Sequence, residues 1–193
     1  MTDIDFLMKA MELKDEKRTG WEVRGVEEPE SVADHSWGVA FLSFLFAEEA
    51  GTDREKAVRM GLLHDLHESV SGDIMSSDLS EPEEREKKRR EEEGFQELLE
   101  LAEGERDDLA EVREEYEERR TETARFVKDM DRLETALQAL FYRTNERYRD
   151  GEEFFRKWDG MEEFFEGVRE EFDTEKAKRV FDLLEDRYEE VGD

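Results

Sequence analysis

Cysteine is absent from the 193-residue chain, which excludes a disulfide framework and any thiolate metal site. Proline is almost absent too. Pro29 and Pro82 are the only two, and both fall at expected helix starts or in the loops before them. Histidine occurs three times, as His35, His64 and His67. No apolar run approaches the roughly 20 residues needed to cross a bilayer. Met1 leads straight into a polar, acidic stretch without a signal-peptide pattern, so the expected location is the cytoplasm. Positive charge is scarce: 30 Lys and Arg face 58 Asp and Glu, a formal net charge of −28. Such a surface repels phosphate backbones, which argues against a DNA- or RNA-binding role. Period-2 alternation and β-branched runs are also rare, which leaves little room for strands.

What the chain has is charge (46% of residues) together with aromatics (10%). High net charge alone would suggest disorder. The apolar residues, however, recur at helical spacing, so the expectation is a folded core beneath an acidic surface. Lysine is the scarcer base, with ten residues against twenty arginines. Charge and lysine content together point to adaptation to high salt, where K⁺ screens the self-repulsion. The length suits one domain spanning 1–193, with a metal-binding core over about 31–140 and C-terminal helices over about 150–190 packed on it.

The pattern predicts an all-α fold. A first helix is expected over 3–14, with Ile4, Leu7, Met8 and Met11 on one face. Residues 15–30, with Gly20, Gly25 and Pro29, are too long for a plain turn and are therefore functional or packed. Ser31 reads as an N-cap with Asp34 three residues on; its helix runs to Ala50 and Gly51 ends it. Thr52 or Asp53 starts the next, to about Leu66, and a helical turn reaches Gly72. A loop over 73–82 precedes a charge run, EEREKKRREEE, over 83–93, which reads as a solvated helix face. One or two helices fill 95–119 and a long one 122–147. Phe154, Phe155, Trp158, Phe164, Phe165 and Phe181 belong to two or three more.

Two histidines adjoin aspartates, in Asp34-His35 and His64-Asp65. His35 shares a stripe with Val32, Val39, Leu42 and Phe46, and His64 with Ala57, Met60, Gly61, Asp65 and Glu68. Asp131 sits among Val127, Met130, Leu137 and Phe141. Carboxylates on core faces ask for a counter-charge, and one divalent cation would satisfy both Asp65 and Asp131. Two imidazoles and two carboxylates suit Mn²⁺, Co²⁺, Fe²⁺, Zn²⁺ or Ni²⁺. Taken singly, each residue is equally compatible with an ordinary packed role.

The stretch from Lys17 through Arg18, Thr19, Gly20 and Trp21 to Val26 is followed by Pro29-Glu30-Ser31-Val32-Ala33-Asp34-His35-Ser36. Next come Gly61-Leu62-Leu63-His64-Asp65-Leu66-His67-Glu68, Ser71-Gly72-Asp73-Ile74 and Phe126-Val127-Lys128-Asp129-Met130-Asp131. In this order the set resembles the HD-domain 5′-deoxynucleotidases over about residues 5–145. The resemblance implies an HD-domain helical bundle, a homodimer, and metal-dependent hydrolysis of deoxyribonucleoside 5′-monophosphates. It implies His35, His64, Asp65 and Asp131 as metal ligands, and Glu68 and Asp73 as acidic residues near the nucleophilic water and the sugar. Arg18 corresponds to a phosphate-binding arginine and Trp21 to the aromatic beside the sugar. His67 departs from the small or apolar residues of relatives and is expected to pack or hydrogen-bond. Two histidines for ligation favour one metal over two. The residues alone also leave open an HD phosphohydrolase with another nucleotide substrate and a catalytically silent metal-binding module. Loss of turnover with retained metal in Glu68→Gln separates an enzyme from the latter.

Overall fold

The computed structural model describes residues 4–75, 79–102, 104, 106–147, 161–165 and 167–192. Its helices are α1 (Ile4–Met11), α2 (Thr19–Glu22), α3 (Val32–Ala50), α4 (Arg54–Leu63), α5 (Glu68–Ser71), α6 (Glu81–Leu101), α7 (Arg106–Glu118), α8 (Glu122–Thr144) and α9 (Glu175–Gly192), with short 3₁₀ turns at Glu12–Lys14, Glu162–Phe164 and Val168–Glu171. Among the described residues the β pairing is confined to one bridge, Lys17 to Ser31. No described helix is long and apolar enough to cross a membrane.

Local signals set the boundaries. Ser31 Oγ accepts from the Asp34 amide at 3.1 Å while Asp34 Oδ2 accepts from the Ser31 amide at 2.9 Å, which satisfies two of the free donors at the start of α3. Gly51, at φ 74°, ends α3. Asp53 caps α4 through the Lys56 amide, and a second capping box, Ser80 with Glu83, opens α6. The charge run does not end where expected. It continues through Leu101 as one 21-residue helix, because Phe95, Leu98 and Leu99 give its C-terminal half a buried face.

Helix α3 packs on α4 and α8, and α9 covers α8. The main core joins Val39, Met60, Phe126, Met130, Leu133 and Phe181. A second core beneath α6 joins Phe6, Leu13, Leu66, Phe95 and Leu98. Gly61 sets the α3–α4 distance: a Cβ there would lie 3.0 Å from Ala40 Cα and backbone N. The start of α9 is anchored by the buried Asp129, whose carboxylate accepts the amides of Asp173 (2.9 Å) and Thr174 (2.7 Å).

The shared face of α1 bearing Ile4, Leu7, Met8 and Met11, placed on one side by the sequence without a stated partner, is exposed, and Phe6 is the buried residue of that helix. One expectation of burial is corrected: Leu137 and Phe141 are exposed, so Asp131 lies at the edge of the buried stripe of α8. Phe154, Phe155 and Trp158 lie outside the described residues.

Candidate metal centre

Three helices bring one donor residue each to a common point. His35 comes from the first turns of α3, His64 from the end of α4 and Asp131 from the middle of α8. Their donor atoms lie within 4.8 Å of one another. Asp65 joins them: its Oδ2 is 3.1 Å from His64 Nε2 and 3.7 Å from His35 Nε2. Both imidazoles are buried, and the second nitrogen of each is already engaged. His35 Nδ1 contacts Glu134 Oε2 at 2.5 Å and His64 Nδ1 contacts the Gly61 carbonyl at 2.9 Å. Those acceptors hold the protons on Nδ1 and leave both Nε2 atoms pointing inward, where a metal would take their lone pairs. Neither Nε2 has a hydrogen-bond partner among the described residues. Buried polar atoms are rarely left so, and two facing a pair of carboxylates fit a divalent cation.

The electrostatics agree with that fit. Burial and the Arg18 charge push the His35 imidazole down, but Glu134 and Asp131 more than offset them and raise it to about 10. Burial favours protonated Asp65 and Asp131. His64 and His35 outweigh it at Asp65, and Lys128 and His35 outweigh it at Asp131, so both stay below the ordinary carboxylate range. Tyr116 O–H donates to Asp131 Oδ2 at 2.7 Å, and Lys128 Nζ donates to the same oxygen at 2.6 Å. Asp131 Oδ1, 3.2 Å from His35 Nε2, remains directed to the centre.

A cavity of about 450 Å³ opens from Asp65 and Asp131, lined also by Arg18, Glu68 and Asp73. Burial, then the charges of Asp65 and Asp73, raise Glu68 well above the usual range, and its Oε2 has no hydrogen-bond partner among the described residues. Gly72, at φ 73°, a conformation that glycine adopts without steric cost, turns the chain so that Asp73 Oδ2 accepts from the Thr19 amide at 2.6 Å. Thr19 Oγ1 donates to the Asp73 carbonyl at 2.8 Å and the Asp73 amide donates to Glu16 at 3.0 Å. The 15–30 connection, a quarter of which coils into α2, is thereby tied to the α5–α6 loop with Arg18 between them. Glu30 and Asp73 outweigh burial and hold the Arg18 guanidinium charged. Trp21 is not in this cavity. It is buried, donates Nε1–H to Glu30 at 2.8 Å and packs against Tyr142 and Phe164. It lines an adjoining pocket of about 160 Å³ that shares Arg18 and Asp73. His67 is buried at the edge of the larger cavity, with burial pushing it down to about 4.

The pattern of the HD-domain family matches residues 10–173. The chain is 33% identical to the 5′-deoxynucleotidase HDDC2 of Homo sapiens over 183 residues, covering 94% of this chain and 84% of that protein. Mus musculus HDDC2 is 40% identical over 138 residues, 71% of this chain and 68% of its own. This chain belongs to the HD-domain 5′-deoxynucleotidase family. Among solved structures, the PH0347 protein of Pyrococcus horikoshii OT3 superposes with a TM-score of 0.72 at 32% identity, covering 96% of this chain and 98% of that one. The family is metal-dependent, and among the described residues the donors of His35, His64 and Asp131 form a group that could hold an ion.

Glu134 carries a clearer part than its sequence position indicates. It fits against His35 because residue 38 is glycine: a Cβ there would lie 2.7 Å from Glu134 Cγ. A glycine inside a helix, which costs about 1 kcal/mol relative to alanine, was the available signal. Tyr116, which holds Asp131 from α7, gave no comparable one, whereas Lys128 offered its i,i+3 spacing to Asp131 on α8.

Proposed function

We propose that the chain hydrolyses deoxyribonucleoside 5′-monophosphates to deoxynucleoside and phosphate, with one divalent cation held by His35, His64, Asp65 and Asp131. The observation that carries this reading is the pair of buried, partnerless Nε2 atoms facing two carboxylates. Mn²⁺, Co²⁺, Fe²⁺, Zn²⁺ and Ni²⁺ suit that donor set. Such a cation lowers the pKa of a bound water and polarises the phosphoryl group.

The chain's own residues do the rest. Arg18, fixed through its neighbour Thr19 by Asp73, engages the phosphate with its planar fork. Glu68, in the same cavity, orients the attacking water and takes its proton; cationic charge nearby would bring its carboxyl down from the raised value it has here. Asp73 positions Arg18 and borders the sugar. Trp21 walls the adjoining pocket, where its packed ring would exclude a 2′-hydroxyl by shape, a discrimination of about 1–3 kcal/mol.

The test is phosphate release from dAMP and AMP side by side in high KCl, after EDTA treatment and readdition of Mn²⁺ or Co²⁺. The expected result is metal-dependent release with dAMP ahead of AMP by roughly 10- to 100-fold. Equal rates would remove the role given to Trp21, and no release with metal bound would reject the reading.

We also infer a homodimer. Helices α3 and α8, packed on each other, leave Trp37, Phe41, Leu45, Leu137 and Phe141 exposed, with Trp37 stacked on Phe41 at 5.3 Å. Exposed apolar patches on soluble proteins mark interfaces. Sedimentation in high KCl should give twice the 23.0 kDa chain mass, and Trp37→Asp should halve it. A monomeric wild type would overturn the inference.

A further inference from the structure

The larger cavity is lined outside the metal centre by more cations than a monophosphate at Arg18 requires. Lys87, Lys88, Arg119 and Lys128 share it with Arg18, and so do the carboxylates of Glu84, Glu91 and Glu117. Three of these five cations are committed. Lys128 holds Asp131, Lys87 pairs with Glu91 at 2.9 Å and donates to the Ile74 carbonyl, and Arg18 lies between Glu30 and Asp73. Among the described residues, neither Lys88 nor Arg119 forms an ion pair. In a chain with 58 acidic and 30 basic residues, cations that line a cavity and have no carboxylate partner call for an explanation.

Arg119 adds a second observation. It follows α7 with φ 49°, in the left-handed region where glycine or asparagine is favoured. An arginine is held there, beside the cavity. Lys88 is exposed like most of the charge run of α6, as is Arg119, and both border the same cavity.

We propose that Lys88 and Arg119 form an outer phosphate site, which holds a phosphate dianion on its way to and from the metal centre. The surface as a whole repels a dianion, and two cations without a carboxylate partner would offer it charged donors at the cavity. The anion is either the phosphate of the incoming monoester or released inorganic phosphate. The proposal rests on the phosphohydrolase reading of the centre.

The test uses Lys88→Ala and Arg119→Gly in the metal-loaded protein, at the lowest KCl that leaves the melting temperature unchanged. Each should raise the KM for dAMP and the inhibition constant of inorganic phosphate by roughly 3- to 10-fold, with kcat little changed and the effect shrinking in added KCl. A rise in KM alone would assign the site to the substrate, and a rise in the inhibition constant alone to the product. Glycine suits the backbone at 119, so Arg119→Gly should melt no lower than wild type, which separates binding from folding. Arg85→Ala, in the same run but paired with Glu81 and outside the cavity lining, controls for net charge. Wild-type constants in both variants, or an equal change in Arg85→Ala, would overturn the outer site. Calorimetric titration with inorganic phosphate keeps the two readings apart. Weaker phosphate binding in the variants of a protein that hydrolyses no monophosphate would reject the nucleotidase and retain the site. Normal hydrolysis with unchanged phosphate binding would do the reverse.

Discussion

Glu134 touches neither cavity-lining carboxylate of the centre, yet it decides which nitrogen of His35 is left for a metal. Its 2.5 Å contact fixes the Nδ1 proton, and its charge helps to raise the imidazole to about 10 against burial and Arg18. In the metal-free protein at neutral pH, His35 is therefore protonated on both nitrogens, and metal binding must displace the proton from Nε2. Affinity should rise with pH up to about 10, because the competing proton is progressively lost. Glu134→Ala should weaken Mn²⁺ binding by roughly 10- to 100-fold and level off the pH dependence at a lower pH, since the charge supporting the imidazolium is gone. Glu134→Gln, which retains an acceptor, should lose less. Titration calorimetry across pH reads all three proteins; identical affinities would show that Glu134 is only packed beside the ring.

At the scale of the elements, the centre depends on how closely α3 and α4 approach. Gly61 lies on α4 against the backbone of Ala40, and a methyl group there has no flexible neighbour to displace. Gly61→Ala should cost about 1–3 kcal/mol through overpacking and draw His64 away from His35. Thermal melting and metal affinity should fall together, and an unchanged melt would mean that the helices can part freely. The helices themselves were legible in the sequence: Ser31, Gly51 and Asp53 carry their boundary chemistry locally, and the stripe through Val32, His35, Val39 and Leu42 faces the core as its period requires. The exposure of Leu137 and Phe141 was not legible, because periodicity identifies an apolar face without saying what covers it. The continuity of α6 was hidden for a related reason. Charged residues at helical spacing look like a separate solvated element until the tertiary contacts of Phe95 and Leu98 join them to the core. The order of motifs singled out the four residues proposed as ligands, and the fold brings them together; the engagement of Tyr116 with Asp131 was not legible, since it arises from the meeting of α7 and α8, whereas Lys128 lies three residues before Asp131 on the same helix.

The whole molecule carries a formal charge of −28 on a fold of ordinary size, and much of its ion pairing, such as Arg54 with Glu48 and Arg89 with Glu86 and Glu93, is exposed. Such pairs contribute about 0–1 kcal/mol each, too little to balance the mutual repulsion of the surplus carboxylates. Screening acts on that repulsion directly. The melting temperature should therefore climb with KCl from dilute buffer into the molar range, followed by circular dichroism; a melt indifferent to KCl would reject the reading of a salt-adapted surface. The three hydrogen bonds that join Glu16, Thr19 and Asp73 also bear on transplanting this site. A chimera that kept its own 72–75 segment but received a 15–30 segment lacking the Glu16 carboxylate and the Thr19 hydroxyl would lose two of the three bonds and deliver Arg18 to the cavity with a weaker anchor. In this chain the two segments act as a single cassette.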